Sequence, residues 1–157
     1  MTTVPQFSPN QIVCIEQNAE FVFGEVVQMV PSRGLCWARP IAIARPGPSL
    51  LLLELVQDLR DSSDLLLPAV LFREALDTEV LPLMTALLDP EKPVPPQHSQ
   101  EARRWLNQFV QQICQVHPEV FVNPPVINPP VINPPVINPP ITATHPIAPT
   151  QDGATPA

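Results

Sequence analysis

Histidine, cysteine and paired carboxylates are the side chains from which acid–base and nucleophilic chemistry is usually built, and this chain carries few of them, widely spaced. The histidines are His98, in a proline-rich connection, His117, at the expected end of a helix, and His145, in a repetitive C-terminal region. None stands in a recognisable constellation with a cysteine or a carboxylate. A cation at His117 would meet the negative end of a helix dipole, a structural role that requires no catalysis. Cys14, Cys36 and Cys114 lie far apart with no C-x-x-C spacing, so they read as buried, reduced thiols. Glu16, Glu20 and Glu25 are neighbours in the first expected hairpin, where acidic residues at strand ends are usually solvated. Gly24, Gly34, Gly47 and Gly153 are too scattered for a phosphate-cradling loop, and no metal-ligand spacing occurs. The expectation is a chain without metal or cofactor and without a catalytic motif.

What does stand out is Trp37 and Arg39, two residues apart on a predicted strand, with Phe21 and Phe23 on the strand before it. Trp and Arg are the types enriched at binding hot spots. The candidate partner-binding residues are therefore Phe23, Trp37, Arg39 and Ile41. Two other readings compete with this one. Trp37 could be core, with Arg39 paired to Glu25 across the hairpin; or Arg39 could hold an anion in a pocket between sheet and helices, as in a small enzyme or ligand-binding domain.

The elements that must position these residues follow from local pattern. Residues 11–16 form a short apolar strand after Pro5 and Pro9. Residues 21–30, rich in β-branched and aromatic side chains, run into Pro31-Ser-Arg-Gly34, where Pro presets φ and Gly supplies a positive φ. Residues 35–44 resume the strand pattern, so this is the strongest hairpin signal in the chain. Alternation puts Leu35, Trp37, Arg39, Ile41, Ile43 and Arg45 on one face. Pro40 cannot donate a ladder hydrogen bond, which makes this arm an edge strand or bulged there. Apolar residues on both faces of residues 21–30 imply that both sides of the sheet are covered, one by the chain's helices and the other by a partner.

After the Arg45-Pro-Gly-Pro48 turn, residues 49–58 continue the meander as a strand. Residues 65–88 shift to helix formers, with Asp77-Thr-Glu79 offering N-cap chemistry and an acidic first turn. Ser99 caps the clearest helix: Ala102, Trp105, Leu106, Phe109, Val110, Ile113 and Cys114 form one broad stripe that stops at His117-Pro118. Strands first and helices second is an α+β order. The expected fold is an antiparallel meander of three to four strands with two C-terminal helices packed on one face, in a folded domain of residues 1–122. Residues 123–157 are expected to form a disordered, proline-rich tail.

Composition supports that division. Of 24 prolines in 157 residues, 12 fall between Pro118 and Pro156. The net charge is −7, and the single lysine is Lys92, so the clustered cations that grip nucleic acid are missing. No apolar run approaches the roughly 18 residues of a membrane span, and residues 1–9 have neither a basic nor an apolar leader pattern. The expected location is the cytoplasm. In the tail, Asn-Pro-Pro-Val-Ile occurs three times from Asn123 and is followed by Asn138-Pro-Pro-Ile-Thr142. Asn before Pro is pushed out of the α region, so the run favours polyproline II, and each repeat advances roughly 15 Å. It is a spacer or a weak multivalent tether.

Three segments, Phe23–Pro40, Asp64–Val80 and Trp105–Phe121, resemble segments of a family of small, mostly uncharacterised cyanobacterial proteins. Together they span most of residues 11–121, and none is a catalytic motif. The family includes a carboxysome assembly factor that binds a shell protein. The resemblance implies a non-enzymatic adaptor acting through protein contacts, with a carboxysome shell protein as its client. The tail is no part of the resemblance. The expected function is a protein-binding assembly factor, with a homodimer or a monomer both left open.

Overall fold

The computed structural model describes residues 3–49, 52–92 and 98–123. The repeat tail therefore lies outside the described residues, apart from Asn123. Six strands, β1 (Ile12–Gln17), β2 (Glu20–Val30), β3 (Leu35–Pro46), β4 (Leu53–Asp58), β5 (Leu65–Pro68) and β6 (Arg73–Glu74), form one antiparallel sheet. Three helices follow, α1 (Asp77–Leu87), α2 (His98–Val116) and the single turn α3 (Pro118–Val122). The fold is α+β, strands before helices.

The strand order is β4-β3-β2-β1-β6, with β5 also paired to β3. β3 is thus an interior strand: β2 lies along one side, while β5 and β4 share the other, β5 beside Leu35–Ala38 and β4 beside Ala42–Pro46. Pro40 sits in the break between them, where its missing N–H costs no ladder bond. Of the two readings of Pro40, edge strand or bulge, the bulge is the one observed. Gly24 pairs with Pro40 and Phe23 with Ala42, leaving Ile41 as the extra residue. A second irregularity leaves Val27 over between the pairs Val26–Ala38 and Gln28–Trp37. Gly24 eases the close approach at the first bulge, since a Cβ there would lie 3.1 Å from the Arg39 carbonyl oxygen, a tight contact.

The tight β1–β2 connection is Asn18-Ala19, with φ of 51° and 59°. Two positive φ values in a two-residue hairpin match the right-handed twist of the flanking strands. The β2–β3 connection is one 3₁₀ turn, Pro31–Arg33, closed by Gly34 at φ 61°, as the Pro-Ser-Arg-Gly pattern predicts.

Both faces of the sheet are covered, but by different helices. Val13, Ile15, Val22, Val26, Cys36, Ala38 and Ile43 pack with Ala102, Leu106, Phe109 and Ile113 of α2. The alternate residues Cys14, Phe23 and Ala44 pack with Leu83 of α1 on the opposite face. The expected placement of both helices on one face is corrected here. The expected face of β3 is also corrected, because a one-residue bulge reverses the alternation. Ile43 enters the α2 core, and Arg45 stacks 5.1 Å from the Trp105 ring on α2, whereas Trp37, between Cys36 and Ala38, points the other way.

Two strands replace expected helix. Leu65–Pro68 pairs with Leu35–Ala38, and Arg73–Glu74 pairs with Val13–Cys14. Leucine is compatible with either state, and here an unpaired strand edge decides between them. α1 then begins where expected, although its N-cap is Leu76 rather than Asp77. The Leu76 N–H donates to Glu79 Oε2 at 2.9 Å, supplying half of a capping box.

Candidate functional site

α1 covers only one end of its sheet face. Beyond it, Gln28 and Val30 of β2, Trp37 and Arg39 of β3, and Leu66 of β5 lie on the same face. Trp37 is 38% exposed and Leu66 55%, and the pair Trp37–Leu66 is directly cross-strand. Directly opposed side chains of this kind touch across a ladder. The result is a shallow cleft of about 390 Å³ lined by Gln28, Val30, Trp37, Asp64, Leu65 and Leu66.

One carboxylate organises its rim. Asp64 precedes β5, and the register of that strand carries it alongside Arg39. The Trp37 indole N–H donates to Asp64 Oδ2 at 3.0 Å, and Arg39 Nε donates to Oδ1 at 3.4 Å. With the Arg39 side chain 60% exposed, that ion pair contributes little to stability. Its effect is orientation: Asp64, held between Arg39 and the indole N–H, keeps the polar edge of the Trp37 ring at the rim.

The structure brings together two of the four candidate residues, Trp37 and Arg39. Phe23 is 2% exposed, packed beneath α1 with Cys14 and Ala44, so it cannot reach a partner from the surface. Ile41 is the bulge residue, half-buried, with its carbonyl accepting the Leu59 N–H at 2.9 Å. Arg39 does pair in register with Glu25, but its guanidinium engages Asp64 instead. Sequence alternation missed Gln28, Val30, Asp64 and Leu66, because the first two are brought to this face by the second bulge and the last two by β5.

A second cleft, of about 440 Å³, lies where β1 ends against α2 and α3, lined among others by Glu16, Gln17, Leu71 and His117. Gln17 Oε1 accepts from His117 Nε2 at 3.2 Å, and His117 Nδ1 is 3.7 Å from Glu119 Oε1. His117 also donates its backbone N–H to Ile113 at 2.9 Å. It therefore clips the turn between α2 and α3 to the end of β1.

The remaining polar groups act as fasteners between elements. His98, buried at the start of α2, has Nδ1 3.2 Å from Gln57 Nε2 and Nε2 3.7 Å from Asp58 Oδ2. Burial raises the Asp58 pKa, but it is outweighed by hydrogen bonds from the Arg60 side chain and backbone, and the carboxyl ends below its usual range. Arg60 reaches on to the Leu87 carbonyl at 3.3 Å, tying the β4 end to the end of α1. At the opposite edge of the sheet, Arg73 of β6 donates both terminal nitrogens to Glu79 of α1, at 3.0 and 2.8 Å. Those bonds hold the Glu79 carboxyl below its usual range, against a smaller opposing effect of burial and with help from the Leu76 N–H.

Burial pushes the Cys14 thiol up to about 12 and the Cys36 thiol up to about 11. Both are protonated near neutrality and unreactive. Cys114, expected to be buried, is exposed: Ala102, Leu106, Phe109 and Ile113 define the buried line of α2, and the next residue is rotated about 100° from it. Among the described residues no group of three His, Cys, Asp or Glu side chains is placed to hold a metal ion, and no helix is long and apolar enough to cross a membrane.

No family model, curated protein or solved structure matches this chain.

Proposed function

We propose that this chain is a protein-binding assembly factor whose docking surface is the open sheet face formed by Trp37, Leu66 and Val30, bordered by Arg39 and Asp64. The observation that carries this reading is the cross-strand pair of Trp37 and Leu66, two large apolar side chains exposed side by side on a rigid sheet. An ordered aromatic ring beside aliphatic side chains, rimmed by a charged pair and an amide, has the anatomy of an interface centre with its polar border. The partner that fits is a protein presenting an apolar side chain flanked by polar groups. The resemblance of Phe23–Pro40, Asp64–Val80 and Trp105–Phe121 to cyanobacterial proteins suggests a client, a carboxysome shell protein, and a cytoplasmic site of action.

The test uses the full chain as bait, with purified shell protein and the principal co-eluting protein from native lysate measured afterwards for affinity. Trp37→Ala and Leu66→Asp should each weaken binding by about 2 kcal/mol or more, roughly thirty-fold in Kd. Leu81→Asp, on an exposed position of α1, should leave it unchanged. Equal affinity of the parent and both variants for a stoichiometric partner would sink the proposal. So would a partner lost equally with Leu81→Asp.

A further inference from the structure

We infer that α1 is the pairing element of a homodimer: its outward stripe of Thr78, Leu81, Thr85 and Leu88 packs antiparallel against the same stripe of a second copy. The seam lies apart from the Trp37–Leu66 cleft. On the docking surface proposed above, a dimer carries two clefts and can join two client molecules, which a single cleft cannot do.

The composition of α1 is the first argument. From Val80 to Leu88 it has no charged residue, and a helix that is apolar on all sides is one covered on all sides. The sheet covers one side only. Leu83 is 2% exposed, whereas Leu81 and Leu88 are each 65% exposed, and Thr78 and Thr85 are exposed with them. At about 100° per residue these four fall in one narrow stripe directly opposite Leu83. Their spacing of three, four and three residues is that of a helix-pairing seam. α2, on the other face of the sheet, has a stripe of the same kind directed outward, but there the residues are Arg104, Gln108, Gln111 and Gln115, as a solvated helix requires. The Thr85 hydroxyl donates to the Leu81 carbonyl at 2.9 Å, so closing the seam leaves that donor satisfied.

Self-complementarity identifies the occupant. The stripe alternates small and large, and turning it end over end about the level of Leu83 sets Leu81 against Thr85 of the second copy and Leu88 against its Thr78. Every layer then holds one leucine and one threonine, and a twofold contact makes each match twice. A parallel pair would stack leucine on leucine and threonine on threonine and align the two helix dipoles, which the antiparallel pair opposes. Pro82 and Met84, half-buried on the flanks, widen the contact. α1 has 11 residues, so a seam about 16 Å long buries roughly 1,000 Å² over both copies, the lower bound of a specific interface. That size suits a dimer with a Kd in roughly the 10–100 μM range. Charge opposes it at the ends, where Asp77 of one copy approaches Asp89 and Glu91 of the other and only Lys92 offsets them. The apolar seam is therefore the driving force, and the dimer tightens as salt screens its ends.

The experiment is sedimentation equilibrium of the full chain, without any client, so its failure and that of the docking surface are separate results. The parent should pass from monomer to dimer with concentration, and its Kd should fall on raising salt. Leu81→Asp, an exposed position that leaves each cleft intact, should weaken the dimer at least about ten-fold; Trp37→Ala should leave it unchanged. A second measurement reads the direction of pairing in a Cys114→Ser background, where Cys14 and Cys36 are buried. On mild oxidation, copies carrying Thr78→Cys should form disulfides with copies carrying Leu88→Cys faster than either forms them with itself. A parent that stays monomeric to about 1 mM overturns the inference, as does a dimer that Leu81→Asp leaves intact or that salt loosens. A dimer lost equally with Trp37→Ala would place the contact at the cleft, and faster linkage of each cysteine variant to itself would exclude the antiparallel seam; either result also overturns it.

Discussion

At the scale of single residues, the ionisable groups act as fasteners rather than as reagents, and this has a direct consequence for acid stability. Asp58 and Glu79 both titrate lower in the folded chain than an unperturbed carboxyl does. The unfolded chain therefore takes up protons first as pH falls. Their contribution is complete above the unfolded values near pH 4 and is lost as pH falls through the lower folded values. The double variant Asp58→Asn/Glu79→Gln should be less stable than the parent at pH 7 and should lose less stability on acidification between about pH 5 and pH 2. Urea midpoints across that range decide it; an acid slope as steep as the parent's would show that these pairs are not its source. Little of this was legible beforehand. Arg60 lies two positions from Asp58 and Arg73 six from Glu79, so the pairs are local, but only the pairing of β6 and the packing of α1 against β4 show that they join different elements.

At the scale of elements, legibility followed the physics of each segment. α2 was readable because Ala102, Leu106, Phe109 and Ile113 recur on one face at helical spacing, and the β2–β3 hairpin because Pro31 and Gly34 have specific turn chemistry. The Asn18-Ala19 turn was not, since alanine is an unusual occupant of a left-handed position. It supplies the prediction for this scale. Ala19→Gly removes a Cβ from a residue at φ 59°, relieving about 1–2 kcal/mol of steric cost against roughly 0.5–1 kcal/mol of added entropy loss on folding. A net gain of about 0.5–1 kcal/mol in unfolding free energy is expected. Denaturant titration checks it, and a loss of stability would mean that the Ala19 side chain makes a contact worth more than its strain. β5 and β6 were illegible for a different reason. Leu65–Leu67 carries no intrinsic preference for strand, and the unpaired edge of β3 on which it settles exists only once Pro40 has separated that edge into two short stretches.

For the molecule as a whole, the decisive feature is that one sheet is covered unequally. α2 lies along one face, and α1 closes only part of the other, so two leucines on the same side of the structure meet opposite fates. Leu83 of α1 is 2% exposed and sits on Cys14, Phe23 and Ala44, whereas Leu66 of β5 is 55% exposed beside Trp37. This division also explains the fate of the candidate site, for Phe23 and Trp37 belong to one face but to its covered and open ends. Sequence alternation could find the face but not the boundary that α1 draws across it, which depends on where a helix fifty residues later comes to rest. Truncating both leucines to alanine removes the same atoms and separates the two environments. Leu83→Ala should cost about 2–5 kcal/mol, the transfer loss plus the cavity it leaves. Leu66→Ala should cost about 1 kcal/mol or less, because most of its surface is already in water. Equilibrium urea unfolding of the full chain measures both, with equal m-values confirming that the denatured states are comparable. Equal losses at the two positions would show that Leu66 is core, and the open face, with the docking surface assigned to it, would then have to be abandoned.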